Sequence, residues 1–177
     1  MSSALKPLHP VEASTPARGV VYVHSCPRAL SPHVEWALAE VLGMEISLEW
    51  SPQLIAMGTV RAELSWQSPP GTAAMVASAL GNFAQIRYEV TEEPTPGREG
   101  ERFSVTPSLG MFRATIGIHG DLMISEDRIK SAMAEVDENE SLQTRLGVLL
   151  GTSWDVELEP FRYAGEGNSV RWLHRVG

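Results

Sequence analysis

The chain reads as an α+β protein: a ferredoxin-like β-α-β-β-α-β core extended by a C-terminal part with β-strands and three short helices. Three observations predict this. Apolar and polar residues alternate over 46–50, 60–66 and 86–90, the period of strands with one wet face. Two intervening runs carry apolar residues at helical spacing and end in glycine, at Gly43 and Gly81. Their order over 19–91, led by the β-branched run Gly19–Val23, is that of a split βαβ unit.

Each element has a local cause. Gly19–Val23 is rich in valine and tyrosine, as a buried strand is. Ser31-Pro32 supplies a cap and a proline that open a helix, whose stripe is Val34, Ala37, Leu38, Val41 and Leu42. Ile46, Leu48 and Trp50 form one face of a strand, and Val60, Ala62, Leu64 and Trp66 one face of the next. Thr72–Leu80 is an alanine-rich helix, and Ile86, Tyr88 and Val90 again alternate with Arg87, Glu89 and Thr91. The helix-covered face should therefore bury Ile46, Leu48, Val60, Leu64, Ile86 and Val90, leaving Arg61, Glu63, Arg87 and Glu89 on the polar face.

Glu93-Pro94-Thr95-Pro96-Gly97 is a turn-rich joint. Strands are expected at 102–106 and 112–118, then a tight turn at His119-Gly120-Asp121 into 122–124. Ser125 opens a helix with Ile129, Ala132, Met133 and Val136 on one face. Leu142, Leu146, Leu149 and Leu150 mark a second, residues 153–161 a third, and 170–173 a last strand. Residues 1–18, rich in Ser, Pro and Ala, are expected to be a flexible tail before one compact domain at 19–177, with sub-parts 19–92 and 98–177.

At 177 residues the chain is long enough to bury a core without metal or disulfide. Its net charge of −8 argues against nucleic acid, whose binding rests on neutralising phosphates. No run approaches the ~18 apolar residues of a membrane helix. The single cysteine, Cys26, allows no intrachain disulfide, and a cytoplasmic location is expected. The acid excess peaks at Glu135, Asp137, Glu138 and Glu140, a solvated surface or a docking face for a basic partner.

Several strings stand together: Val21-Tyr22-Val23-His24, Pro32-His33-Val34-Glu35-Trp36-Ala37, Tyr88-Glu89-Val90-Thr91-Glu92, Leu150-Gly151-Thr152, Leu158-Glu159-Pro160-Phe161-Arg162 and Val170-Arg171-Trp172-Leu173. On these the chain resembles an uncharacterised actinobacterial family, the domain of unknown function 3145, over about residues 19–175. The resemblance implies a cytoplasmic protein of about this size. It brings no activity, cofactor or catalytic residue with it. An accessory role in fatty-acid synthesis is named as an alternative only.

Candidate chemistry is sparse. His24-Ser25-Cys26-Pro27 follows the first strand and precedes a helix, a common place for ligands. A helix dipole would favour the Cys26 thiolate, with His24 as its base; a small buried thiol and a loop histidine is the plainer reading. His24, His33 and His119 lack the spacing of a zinc site, and no metal or cofactor is expected. Trp36 lies opposite the apolar stripe of its helix, flanked by His33 and Glu35, and needs a partner. Asp155 and Glu159, four apart, would share a helical face as paired carboxylates. Gly165-Glu166-Gly167 reads as a turn. The expected ligand or partner surface comprises His24, His33, Glu35 and Trp36. The leading functional reading is a non-enzymatic module binding a protein or a small molecule, and the alternative is a small enzyme using His24 and Cys26.

Overall fold

The computed structural model describes residues 15–136 and 140–164. The strands are β1 (Ala17–Pro27), β2 (Ser51–Pro52), β3 (Thr59–Ser68), β4 (Arg87–Glu92), β5 (Gly100–Thr106), β6 (Gly110–Ile116) and β7 (Leu122–Met123). The helices are α1 (Ser31–Leu42), α2 (Thr72–Leu80), α3 (Glu126–Ala134), α4 (Leu142–Leu150) and α5 (Thr152–Tyr163). The strands form one antiparallel sheet in the order β2-β3-β1-β4-β5-β6-β7. The second half of the chain thus extends the sheet rather than forming its own. The strand expected at 170–173 and the turn at 165–167 lie outside the described residues.

One face of the sheet packs on α1 and α2. Its core holds Val21, Val23, Val60, Trp66, Tyr88, Val90, Phe103 and Val105 against Val34, Leu38, Val76, Ala77 and Leu80. Val60, Ile86 and Val90 are buried as expected, while Ile46, Leu48 and Leu64 are partly buried against the same cluster. α1 starts with proline in its first turn, after a 3-10 turn at Arg28–Leu30, and Gly43 closes it at φ 67°. α2 lacks a capping side chain of its own. Its free N–H groups are taken by Glu92 on β4, which accepts from Gly71 (2.7 Å) and Ala73 (2.9 Å).

The expected strand at 46–50 does not form, and only Ser51–Pro52 pairs with β3. Glu35 on α1 explains the difference. Its Oε1 accepts the Leu48 backbone N–H (2.7 Å) and the Trp50 indole N–H (3.0 Å), tethering the segment to the helix. The apolar alternates still face the core, so the sequence pattern is the same as a strand's.

β1 is longer than expected and begins at Ala17, which is buried. It also carries a bulge. Val23 pairs with Ala62 and Cys26 with Val60, so His24 and Ser25 together face Arg61. One extra residue inverts the alternation. Tyr22 and His24 stack on one face at 6.0 Å, while Cys26 joins Val21 and Val23 in the core on the other.

The second face is not open. α5 lies across it, with Leu158 fully buried and Arg162 nearly so. Gly151, at φ 73°, starts α5 where a Cβ would sit 2.5 Å from the Phe112 ring. α3 and α4 pack on each other and bury little: Ala132 is the buried residue of α3, Leu146 and Leu149 are half-buried, and Leu142 and Leu150 are exposed.

Gly19 is the tightest point of the core. A methyl there would run into the Trp66 indole and the Thr91 carbonyl. Gly19→Ala should destabilise the fold by about 1–3 kcal/mol or more, the usual cost of overpacking. Thermal unfolding checks this; an unchanged melting temperature would contradict the packing of Trp66 over β1.

Candidate functional site

The densest cluster of polar side chains lies between the sheet and α5. Glu89 on β4 is at its centre, fully buried. Its Oε2 meets His24 Nε2 at 2.7 Å and accepts from Arg162 Nε at 2.8 Å. Its Oε1 accepts from Arg162 Nη2 (2.5 Å), Arg102 Nη2 (2.8 Å) and Ser104 Oγ (3.1 Å). Both arginines also reach Asp155 Oδ1, at 2.6 Å from Arg102 and 2.8 Å from Arg162. Two carboxylates thus face two guanidinium groups.

The positions follow from local periodicity. Glu89, Arg102 and Ser104 are strand alternates on the face away from α1 and α2, and Glu89 pairs directly with Ser104. His24, two residues beyond Tyr22 on β1, projects to the same face. Asp155, Leu158 and Arg162 follow at i, i+3 and i+7 on α5 and so face the sheet together. Gln53 adds a tether, its Nε2 donating to the His24 carbonyl at 2.7 Å and to the Phe161 carbonyl at 3.4 Å.

Burial alone would raise the Glu89 pKa. The hydrogen bonds from His24 and Arg162 and the charges of His24 and Arg102 outweigh it and hold the carboxyl well below its usual range. Arg162 is likewise held above its ordinary value: burial opposes its charge, and Glu89 and Asp155 overcome this. An ionised Glu89 only accepts, so the His24 Nε2 bears the hydrogen between them. Five donors around one carboxylate leave it no acceptor for a substrate.

A second set of contacts pins α5 along its length. Glu157 accepts from Thr106 Oγ1 (3.0 Å) and Ser108, and pairs with Arg87 at 3.3 Å. Burial raises the Glu157 pKa, but those hydroxyls and Arg87 lower it further. Arg87 also lies over the Phe161 ring at 4.5 Å, and Trp154 donates to the Gly110 carbonyl at 2.9 Å.

The four residues expected to form one surface do not come together. His24 is buried beneath α5, whereas His33 and Trp36 are exposed on α1, Trp36 at 71%. Glu35 is engaged by Leu48 and Trp50. Cys26 and His24 lie on opposite faces, and burial pushes the thiol up to about 11, away from the thiolate a nucleophile needs. Asp155 partners Arg102 and Arg162 rather than Glu159, which is exposed. Glu89 and Arg162 were not expected to be buried. The signal for them is the stripe Asp155–Leu158–Arg162, whose two charged members need opposite charges on whatever face they cover.

Glu135 and Glu140, from the acid-rich stretch, pair with Arg145 at 2.6 and 2.9 Å. They line a shallow groove between α3 and α4 with Asp127, Ser131 and Val148; Asp137 and Glu138 lie outside the described residues. Among the described residues no three His, Cys, Asp or Glu side chains gather as a metal site, and His119 is exposed in its turn. Among them, too, no helix is long and apolar enough to cross a membrane.

Fold and cluster together define a class: an α+β protein whose described residues form a seven-strand antiparallel sheet and five helices, one sheet face closed by apolar packing and the other by buried ion pairs. The chain belongs to the DUF3145 family, whose model, described as a protein of unknown function, matches residues 20–175. No curated protein and no solved structure matches it.

The lowered Glu89 pKa makes stability depend on pH. Its folded value lies below the ordinary 4.5, so its contribution is complete above about that pH and is lost as pH falls through the folded value. Glu89→Gln should cost roughly 3–5 kcal/mol at pH 7, since it leaves buried positive charge unpaired. The deficit should shrink as the wild type is titrated into acid. Denaturant unfolding of both proteins between pH 7 and pH 3 measures this; a pH-independent difference would contradict the assignment.

Proposed function

We propose that this protein is a non-enzymatic, cytoplasmic binding module that recognises a protein partner. The observation that carries the reading is where its uncommitted apolar surface lies. Residues 54–57 join β2 to β3, and there Leu54 is 79% exposed and Met57 100%, with Ile55 also exposed. Their anchor is fixed. Gln53 is buried and bonded to the His24 and Phe161 carbonyls, Thr59 donates to the Ala56 carbonyl, and Arg28 donates to the Gly58 carbonyl. Large apolar side chains held out on an anchored loop favour burial against another surface. Trp36 on α1 supports the same reading from the neighbouring element.

The polar residues point the same way. Those with the chemistry of catalysis, His24, Glu89 and Cys26, are committed to the sheet–α5 cluster or to the core. We also read β1-α1-β2-β3-α2-β4 as a split βαβ unit of the ferredoxin-like kind, supported by the order β2-β3-β1-β4 on one side of the sheet. In that unit the loop is the β2–β3 hairpin tip, a place where binding residues sit on a rigid base.

The test is capture from native lysate by the tagged protein and by a Leu54→Ser/Met57→Ser variant. Both side chains are exposed, so melting temperatures should agree to within a few degrees. The wild type should retain a partner that the variant loses at least tenfold. Equal capture by both would contradict the reading.

A further inference from the structure

The outer edge of β3 is mostly unpaired among the described residues. Among the described residues it pairs with β2 at Val60 and Arg61 alone, leaving Ala62–Ser68 without a strand neighbour on that side. Glu35 accounts for this, because it keeps residues 46–50 on α1. The stretch 62–68 has no lysine, no bulge and no proline before Pro69, and Glu63 is its one charged residue.

The direction of its backbone groups follows from its neighbours. Gln53 N–H donates to the Thr59 carbonyl on the β2 side, and Arg28 N–H to the Gly58 carbonyl on the β1 side. The backbone alternates from there, so Glu63, Ser65 and Gln67 turn their N–H and C=O groups outward. Their side chains are exposed, and the intervening Ala62, Leu64 and Trp66 face the core.

We propose that β3 pairs, edge to edge and antiparallel, with β3 of a second copy of this chain, about a two-fold axis at Ser65. Three features favour that occupant. Ser65 is the midpoint of 62–68, and its backbone groups are among those that point outward, as a self-paired centre requires. The register sets Ser65 opposite Ser65 and Glu63 opposite Gln67, giving six backbone hydrogen bonds and no like charges face to face. It also ends with Ala62 opposite Ser68, where β2 begins to cover the edge in one copy and Pro69 follows in the other. An interface between identical chains is isologous in this way.

Sedimentation equilibrium across 1–200 μM protein, with amide exchange of Ser65, tests the proposal. The full chain should form a dimer, and Ser65 exchange should slow as concentration rises. Gln67→Glu sets like charges opposite at two symmetric pairs and should weaken the dimer about fivefold; Gln67→Lys should strengthen it about as much. Glu63→Lys combined with Gln67→Glu sets opposite charges at the same two pairs and should strengthen the dimer as Gln67→Lys does. Both positions are exposed, and circular dichroism confirms the fold. A monomer at 200 μM, a dimer indifferent to these charges, or Ser65 protection independent of concentration would each overturn it. The last would mean that the chain's own residues cover the edge.

Discussion

The structure hangs on one carboxylate. Glu89 sits in the middle of a central strand, out of reach of water, and is ionised because five donors surround it. Such a group cannot be half-satisfied. A buried charge lacking its partners costs several kcal/mol, so Arg162 must be in place whenever Glu89 is charged and folded. Arg162 belongs to α5, whose apolar contribution beneath the sheet centres on Leu158. The ion cluster therefore supplies orientation that packing alone would leave loose: it fixes where α5 lies and how it is rotated.

This division of labour separates the two faces. Beneath α1 and α2 the core is large and apolar, and even a methyl at Gly19 has no room. Beneath α5 the contacts are charged and directional, running from Trp154 at one end through Asp155 and Glu157 to Arg162 at the other. The β1 bulge divides the two faces. Strand alternation leaves His24 beside Tyr22, toward Glu89, and the extra residue turns Cys26 into the apolar core, so two residues separated by Ser25 alone take no part in a common chemistry.

Much of this order is legible in the sequence, for identifiable reasons. α2 ends as Gly81 suggests, and β3 and β4 follow their alternation, because burial of one face sets their period. The run at 46–50 misleads because its alternates do pack on the core, as a strand's would; what removes it from the sheet is a hydrogen bond from Leu48 to Glu35, thirteen residues away. Glu89 misleads in the opposite way. A polar alternate in a strand reads as solvent-facing until the element that covers it is known. That element, α5, shows Asp155 and Glu159 as a carboxylate pair at i, i+4, whereas the pair that matters is Asp155 and Arg162 at i, i+7. Nor can a sequence show the bulge that separates His24 from Cys26, since one residue's shift leaves no compositional trace.

The central claim is that Glu89 and Arg162 stabilise the fold as a unit. A double-mutant cycle with Glu89→Leu, Arg162→Met and the pair together measures it by denaturant unfolding. Each single change leaves one buried charge unbalanced, whereas the double variant leaves Arg102 facing Asp155 with charges matched. The account predicts that the double variant loses less stability than the two single losses added, with a coupling of about 1–3 kcal/mol. Losses that simply add would contradict it.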